Sequence, residues 1–322
     1  MRMYGTELEF EGTPGEYRIG SALVSDFPVP ADAWFRSDDR TTLVNLAWQE
    51  IALQATGVLG AASGIAAEYP DEDFVCRNLE GRARLPRLGS PLGRTLRVRS
   101  ELLAHTPLHR AVLLRFGFAV TLDGEPCYEG ETVHGFFTPD ALSRQQGLDG
   151  GRLVPTWLER QSSPPRVVNI APPAGGGLQL IDDADIVLGG GDHGAGYVLA
   201  RKRIDPAAWY FDEHFPGDPV MPGSMGVEML FHALRAYGVA AGLTEGVAEP
   251  HWAPAPGAEL TWKYRGQVLR EHDHVQGEVH LRSVRREPHR VLLHADGGLY
   301  RDGLRIYQVE GISIELTEGR RP

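Results

Sequence analysis

The chain has 322 residues, with 32 Lys and Arg against 43 Asp and Glu, a formal charge of −11 and 42% hydrophobic residues. That charge argues against nucleic acid as a partner, and the composition is that of a globular protein large enough for two cores. Its two cysteines, Cys76 and Cys127, give neither a disulfide framework nor a zinc pattern, so a reducing, cytoplasmic setting is expected. No run of eighteen apolar residues appears, and Met1-Arg-Met-Tyr4 does not lead into a signal-peptide core; no membrane insertion is expected.

From the N-terminus, Pro30, Trp34 and Phe35 precede an apolar run, Leu43 to Ala62, that reads as a buried helix carrying Glu50-Ile-Ala-Leu-Gln54. Arg94 to His105 and Arg110 to Leu122 alternate as strands, and Asp123-Gly124, with Tyr128 beyond, reads as a hairpin turn. A stretch rich in Gly, Pro, Ser and Gln follows from Pro139 to Pro173, a boundary composition, with Gly175-Gly-Gly177 after it. Gly189 to Gly196 is glycine-rich but runs into the alternating Tyr197 to Ile204, so it reads as a turn and not a phosphate loop. The basic cluster Arg201-Lys202-Arg203 is a solvated strand face or a patch for an acidic partner.

The same pattern then returns. Pro206, Trp209 and Tyr210 precede a second apolar run, Ser224 to Ala241, holding Glu228-Met-Leu-Phe-His232. Strands follow over Glu259 to Leu269 and Val275 to Val284, then the turn Asp302-Gly303 with Tyr307. The glutamates are offset by 178 residues and the turns by 179. The chain is therefore an internal duplication, each half a long buried helix with antiparallel strands around it, an α+β class. The halves are placed at 1–150 and 176–322, with 151–175 as linker.

The densest chemistry lies in His214-Phe-Pro-Gly-Asp-Pro-Val-Met-Pro-Gly223, followed by Ser224-Met-Gly-Val-Glu228. An imidazole stands before a rigid Pro/Gly loop that opens a helix, whose first N–H groups at Gly223 and Ser224 suit a developing oxyanion. His272 and His274 flank Asp273, but no third ligand stands at a sensible spacing; no metal is expected and the pair reads as surface histidines. His232, four residues after Glu228, reads as a structural neighbour of that carboxylate, and the two cysteines as core or strand residues.

Trp209 to Glu228 resembles the hotdog-fold 3-hydroxyacyl-ACP dehydratases, almost position for position with the bacterial 3-hydroxydecanoyl-ACP enzyme. The whole run from Tyr17 to Thr317 is similar to the tandem dehydratase domains of polyunsaturated fatty acid synthases. The carrying stretches are Glu50 to Gln54, Arg77-Asn-Leu-Glu-Gly81, Gly135-Phe-Phe137, Ala141-Leu142, Gln146-Gly-Leu148 and Trp262-Lys-Tyr-Arg-Gly-Gln267. The resemblance implies a double hotdog, two antiparallel sheets each wrapping a long central helix. It also implies an active site shared between hotdogs, His from one and a carboxylate from the other.

One departure follows from aligning Glu50 with Glu228: the place of His214 falls on Arg36, and Pro222, Gly223 and Ser224 fall on Val44, Asn45 and Leu46. One competent site is expected, His214 as base with Glu50 as acid, Gly223 and Ser224 as the oxyanion cradle, and Gln54 orienting Glu50 from one helical turn away. The implied substrate is a 3-hydroxyacyl thioester on the phosphopantetheine arm of an acyl carrier protein, dehydrated without metal or redox cofactor. A homodimer or a place in a synthase complex is implied too. The alternatives are a hotdog thioesterase, or a catalytically degenerate hotdog scaffold within a synthase.

Overall fold

Strands form where the sequence alternates and break where Gly, Pro and Asp cluster. The computed structural model describes residues 3, 5, 8–38, 40–85, 89–171, 178–215 and 217–319, and Gly175 to Gly177 lie outside them. Two compact units divide the chain. The first holds residues 1–33 and 47–145, the second residues 34–46 and 146–322.

The first half contributes β1 (Leu8–Glu11), β2 (Ala22–Pro28), α1 (Asn45–Ala62), α2 (Ile65–Glu68), β3 (Val75–Arg84), β4 (Thr95–Leu108), β5 (Ala111–Leu122), β6 (Glu125–Phe137) and α3 (Pro139–Ser143). In unit 1 the strands are antiparallel in the order β1-β2-β4-β5-β6-β3. Alternate residues of β5, from Val112 and Leu114 to Phe116 and Val120, are fully buried, as a one-faced strand requires. Leu59 of α1 joins Leu102, Val112, Leu114, Phe116 and Phe136 in one apolar cluster. Gly60 lets the helix approach closely, since a Cβ there would sit 3.0 Å from the Phe136 ring. The run Asn45–Glu68 has a mean hydropathy of 1.2, enough by length and composition to cross a membrane, and 56% of that window is buried inside the protein.

The second half contributes β7 (Val168–Ile170), β8 (Asp183–Val187), β9 (Tyr197–Arg203), α4 (Tyr210–Glu213), α5 (Gly223–Ala240), β10 (Pro250–Pro254), β11 (Glu259–Tyr264), β12 (His274–Glu287), β13 (Arg290–Arg301) and β14 (Leu304–Glu318). Its strands are antiparallel in the order β11-β14-β13-β12-β9-β8-β7, with β10 also on β14. The α5 helix packs on β9, β12, β13 and β14. Asp123-Gly124 and Asp302-Gly303 both turn with positive φ at each residue, the geometry of a two-residue hairpin of type I′. Within the stretch read as a linker, β7 pairs with β8, and Trp157 packs on Tyr197 at 4.7 Å between ring centroids.

Candidate active site

His214 ends the single turn of α4, its N–H on the Tyr210 carbonyl at 2.9 Å. The chain then loops back: Val220 N–H donates to the His214 carbonyl at 2.9 Å, and Phe215 and Asp218 exchange backbone bonds of 3.0 Å. That fold brings the Val220 carbonyl to 3.0 Å from His214 Nδ1. A carbonyl only accepts, so Nδ1 carries a proton, and in the neutral form of the ring the lone pair is on Nε2. The ring is half-buried and stacks on Phe215 at 4.1 Å.

Met221 N–H is pinned to the Val268 carbonyl at 2.9 Å, which sets where α5 begins. Pro222 is its N-cap and supplies no side-chain oxygen to the first amides, while its carbonyl accepts the Met225 N–H at 3.0 Å. Gly223 and Ser224 open the helix, Ser224 buried. A Cβ at Gly223 would lie 2.7 Å from the Tyr264 ring and one at Gly226 2.5 Å from Tyr307, two rings whose centroids are 4.2 Å apart. These glycines are set by the approach of aromatic rings and not by positive φ.

In unit 1, Glu50 is buried on α1, and the Gln54 side-chain amide donates to its Oε2 at 2.7 Å. Gln54 is itself held, its Oε1 accepting the Met3 N–H at 2.7 Å. The carboxylate thus has a fixed orientation set from one helical turn away. His214, Gly223 and Ser224 belong to unit 2, Glu50 and Gln54 to unit 1.

Unit 2 holds a second carboxylate. Glu228 is 4% exposed, and its Oε2 accepts the Leu46 N–H at 2.9 Å, so it caps the first turn of α1, whose first two residues belong to unit 2. Burial pushes its pKa up to about 7, with the Leu46 N–H pulling the other way. His232 Nε2 stands 3.6 Å from Glu228 Oε1, and burial, aided by Arg235, pushes this imidazole down to about 4. Arg235 pairs with Asp38 at 2.9 Å, and Arg36, in the place aligned with His214, bridges to Leu43. The duplicated tryptophans meet here as well, Trp34 edge-on to Trp209 at 6.2 Å. Sequence reasoning missed the Leu46 amide, because a backbone donor 182 residues away carries no residue signature.

With this geometry in place, comparison with known proteins places part of unit 2 in a family. The FabA-like domain family matches residues 173–310. Residues 173–310 are a FabA-like domain, of the hotdog fold. The chain is also 34% identical over 325 residues to a polyunsaturated fatty acid synthase polypeptide of Thraustochytrium sp., a match over 92% of this chain. It spans 22% of the length of that relative. Among solved structures it is similar to an oleoyl thioesterase described from Lactobacillus plantarum, TM-score 0.53 at 10% identity, over 94% of this chain and 97% of that one. It is similar too to the 12:0-ACP thioesterase of Umbellularia californica, TM-score 0.52 at 12% identity, over 92% and 93%. At such identities these two likenesses concern the fold alone.

Elsewhere in unit 2, two cations of the basic cluster are already paired. Arg201 bonds Asp183 and Asp185 at 2.8 and 2.5 Å, and Lys202 bonds Asp182 at 2.6 Å. Aspartates thus neutralise Arg201 and Lys202, while Arg203 is exposed and gives Asp182 its backbone N–H at 2.8 Å. The Gly189 to Gly196 segment is the β8–β9 turn, closed by Gly196 N–H on Gly190. His272 is half-buried and its Nδ1 accepts the Leu269 N–H at 2.7 Å. A buried network that sequence reading missed surrounds Glu278 on β12. The hydroxyls of Tyr197 and Tyr300 donate to it at 2.9 and 2.7 Å, the Trp157 N–H donates as well, and His280 Nε2 stands at 3.6 Å. Burial alone would raise this carboxyl, but His280, the Trp157 amide and Tyr300 outweigh it and hold the pKa at about 2.

Proposed function

We propose that the chain dehydrates 3-hydroxyacyl thioesters, borne on the phosphopantetheine arm of an acyl carrier protein, to 2-enoyl thioesters. In this reading its two halves form a double hotdog. The observation that carries it is the tautomer of His214: the Val220 carbonyl fixes the proton on Nδ1 and leaves Nε2 as a base. His214 Nε2 takes the α-proton. Electron density moves onto the thioester oxygen, where the amides of Gly223 and Ser224 at the positive end of α5 stabilise it. The β-hydroxyl then leaves with a proton from Glu50, whose orientation the Gln54 amide sets. Water, not a hydride or an acyl group, is expelled, so the step calls for no metal or redox cofactor. Membership of a larger synthase fits the share of the relative that the chain spans.

The test is a product analysis on a 3-hydroxyacyl thioester with the native chain and His214→Ala. The native chain should yield enoyl thioester, and the variant should be slower by roughly a hundredfold or more. Free acid and thiol in place of enoyl thioester would make the protein a thioesterase. No turnover by the folded native chain would leave a scaffold.

A further inference from the structure

The loop that enters α1 carries no imidazole, yet unit 1 holds one deep in its sheet. His134 on β6 is 5% exposed, and burial pushes its pKa down to about 4, so the ring is neutral at physiological pH. Its two nitrogens have different partners. Nε2 lies 3.1 Å from Thr56 Oγ1 on α1, and Nδ1 lies 3.6 Å from Cys76 Sγ on β3. The single Thr56 hydroxyl proton is already committed, donated to the Leu53 carbonyl at 2.7 Å. Thr56 Oγ1 must therefore accept from His134, which places the proton on Nε2 and the lone pair on Nδ1. The thiol of Cys76 faces that lone pair.

Three elements converge on this arrangement. Cys76 pairs with Phe136 across the β3–β6 ladder, which makes His134 its diagonal neighbour on the same face. Arg77 Nη1 donates to the Cys76 carbonyl at 2.8 Å, which ties down the backbone that carries the thiol. A nucleophile, a base in reach of it and a third group orienting the base form the arrangement that activates a thiol. Cys127 offers the contrast within the same unit: it is 2% exposed, burial pushes its pKa up to about 11, and its Sγ–H turns to the Glu125 carbonyl at 3.7 Å.

We propose that Cys76 is a nucleophilic thiol served by His134, and that it adds to α,β-unsaturated carbonyl compounds. His134 Nδ1 takes the thiol proton as sulfur bonds to the β-carbon. The π pair of the C=C bond moves to the α-carbon, and the imidazolium, a strong acid in so buried a place, returns the proton there. Atoms and electrons balance with no oxidant or further reactant. The 2-enoyl thioesters named above belong to this chemical class, but the reactivity of the thiol does not depend on the dehydration reading.

N-ethylmaleimide is the probe, with modification of Cys76 and Cys127 in the full native chain followed by peptide mass spectrometry. Cys76 should react at least about tenfold faster than Cys127. Because its base stays neutral from pH 6 to 8, the Cys76 rate should change by less than about threefold across that range, where an unassisted thiol climbs roughly a hundredfold. His134→Gln should slow Cys76 about tenfold and restore the steep pH dependence. The wild-type pH profile does not depend on how that buried variant folds. A Cys76 rate no greater than that of Cys127, or one rising in proportion to hydroxide, would overturn the assignment.

Discussion

Glu228 and His232 stand 3.6 Å apart, yet burial moves their pKa values in opposite directions, and the two shifts act on stability in different pH windows. Glu228 is raised from 4.5 to about 7, so the folded chain binds its proton more tightly than the unfolded chain does. Its contribution to stability is fully present below about pH 4.5 and is lost as pH rises through about 7. His232 is lowered from 6.5 to about 4; its contribution is present above 6.5 and is lost as pH falls through about 4. The two trends oppose each other between 4.5 and 6.5, and Glu228 acts alone just above. Glu228→Gln keeps an acceptor for the Leu46 N–H but cannot ionise. It should therefore be more stable than the native chain at pH 8, by roughly 3 kcal/mol, with the gap closing towards pH 5. Urea midpoints measured across pH give the comparison, and parallel curves for the two proteins would refute it. At this scale the sequence was most legible where residue types are unusual and contiguous, as from His214 to Gly223. It was silent on the Val220 carbonyl and the Leu46 amide, because every residue but proline has such groups.

The two long helices were legible because both are apolar over many turns; they run Asn45–Ala62 and Gly223–Ala240, close to the stretches read from hydropathy. What hydropathy could not show is which small residues the packing requires. Gly226 lies under Tyr307, and Gly226→Ala should lower the unfolding free energy by about 1–3 kcal/mol through overpacking. Tyr307→Leu in the same chain should relieve part of that loss, and a strictly additive double variant would argue against the contact. Strand β12 shows another limit of pattern. Glu278 and His280 alternate with apolar residues as a solvent face does, yet the segment around Trp157 covers them and they end buried, at 5% and 8% exposure. Glu278→Ala strands two tyrosine hydroxyls and the Trp157 N–H, with an expected cost of about 3 kcal/mol or more. Freed of its anchor, that segment should also be cut faster by trypsin at Arg160. Unchanged cleavage and stability would show the network to be dispensable.

At the scale of the molecule, the proposed dehydration makes the two halves unequal. Both halves carry the helix glutamate, but Arg36 stands where one half would need an imidazole, and a guanidinium cannot accept the α-proton. Glu50→Gln should therefore slow dehydration by roughly a hundredfold or more, while Glu228→Gln keeps most of the rate. An inactive Glu228→Gln beside an active, folded Glu50→Gln would reverse the assignment and pair His214 with the carboxylate on its own helix. The repeat was legible from landmarks at near-constant offset, whereas the way the chain apportions itself was not, since the boundary at Leu46 falls inside a helix. That boundary bears on descent. Residues 34–46, encoded with the first half, complete the second unit and cap its Glu228. A gene fission between Gln145 and Gln146 would leave the downstream product without those residues, its buried carboxyl without its amide and its Arg235 without Asp38. Loss of the half that carries Arg36 would therefore not be structurally neutral, because it would also remove residues that complete the other unit, a physical reason to keep it.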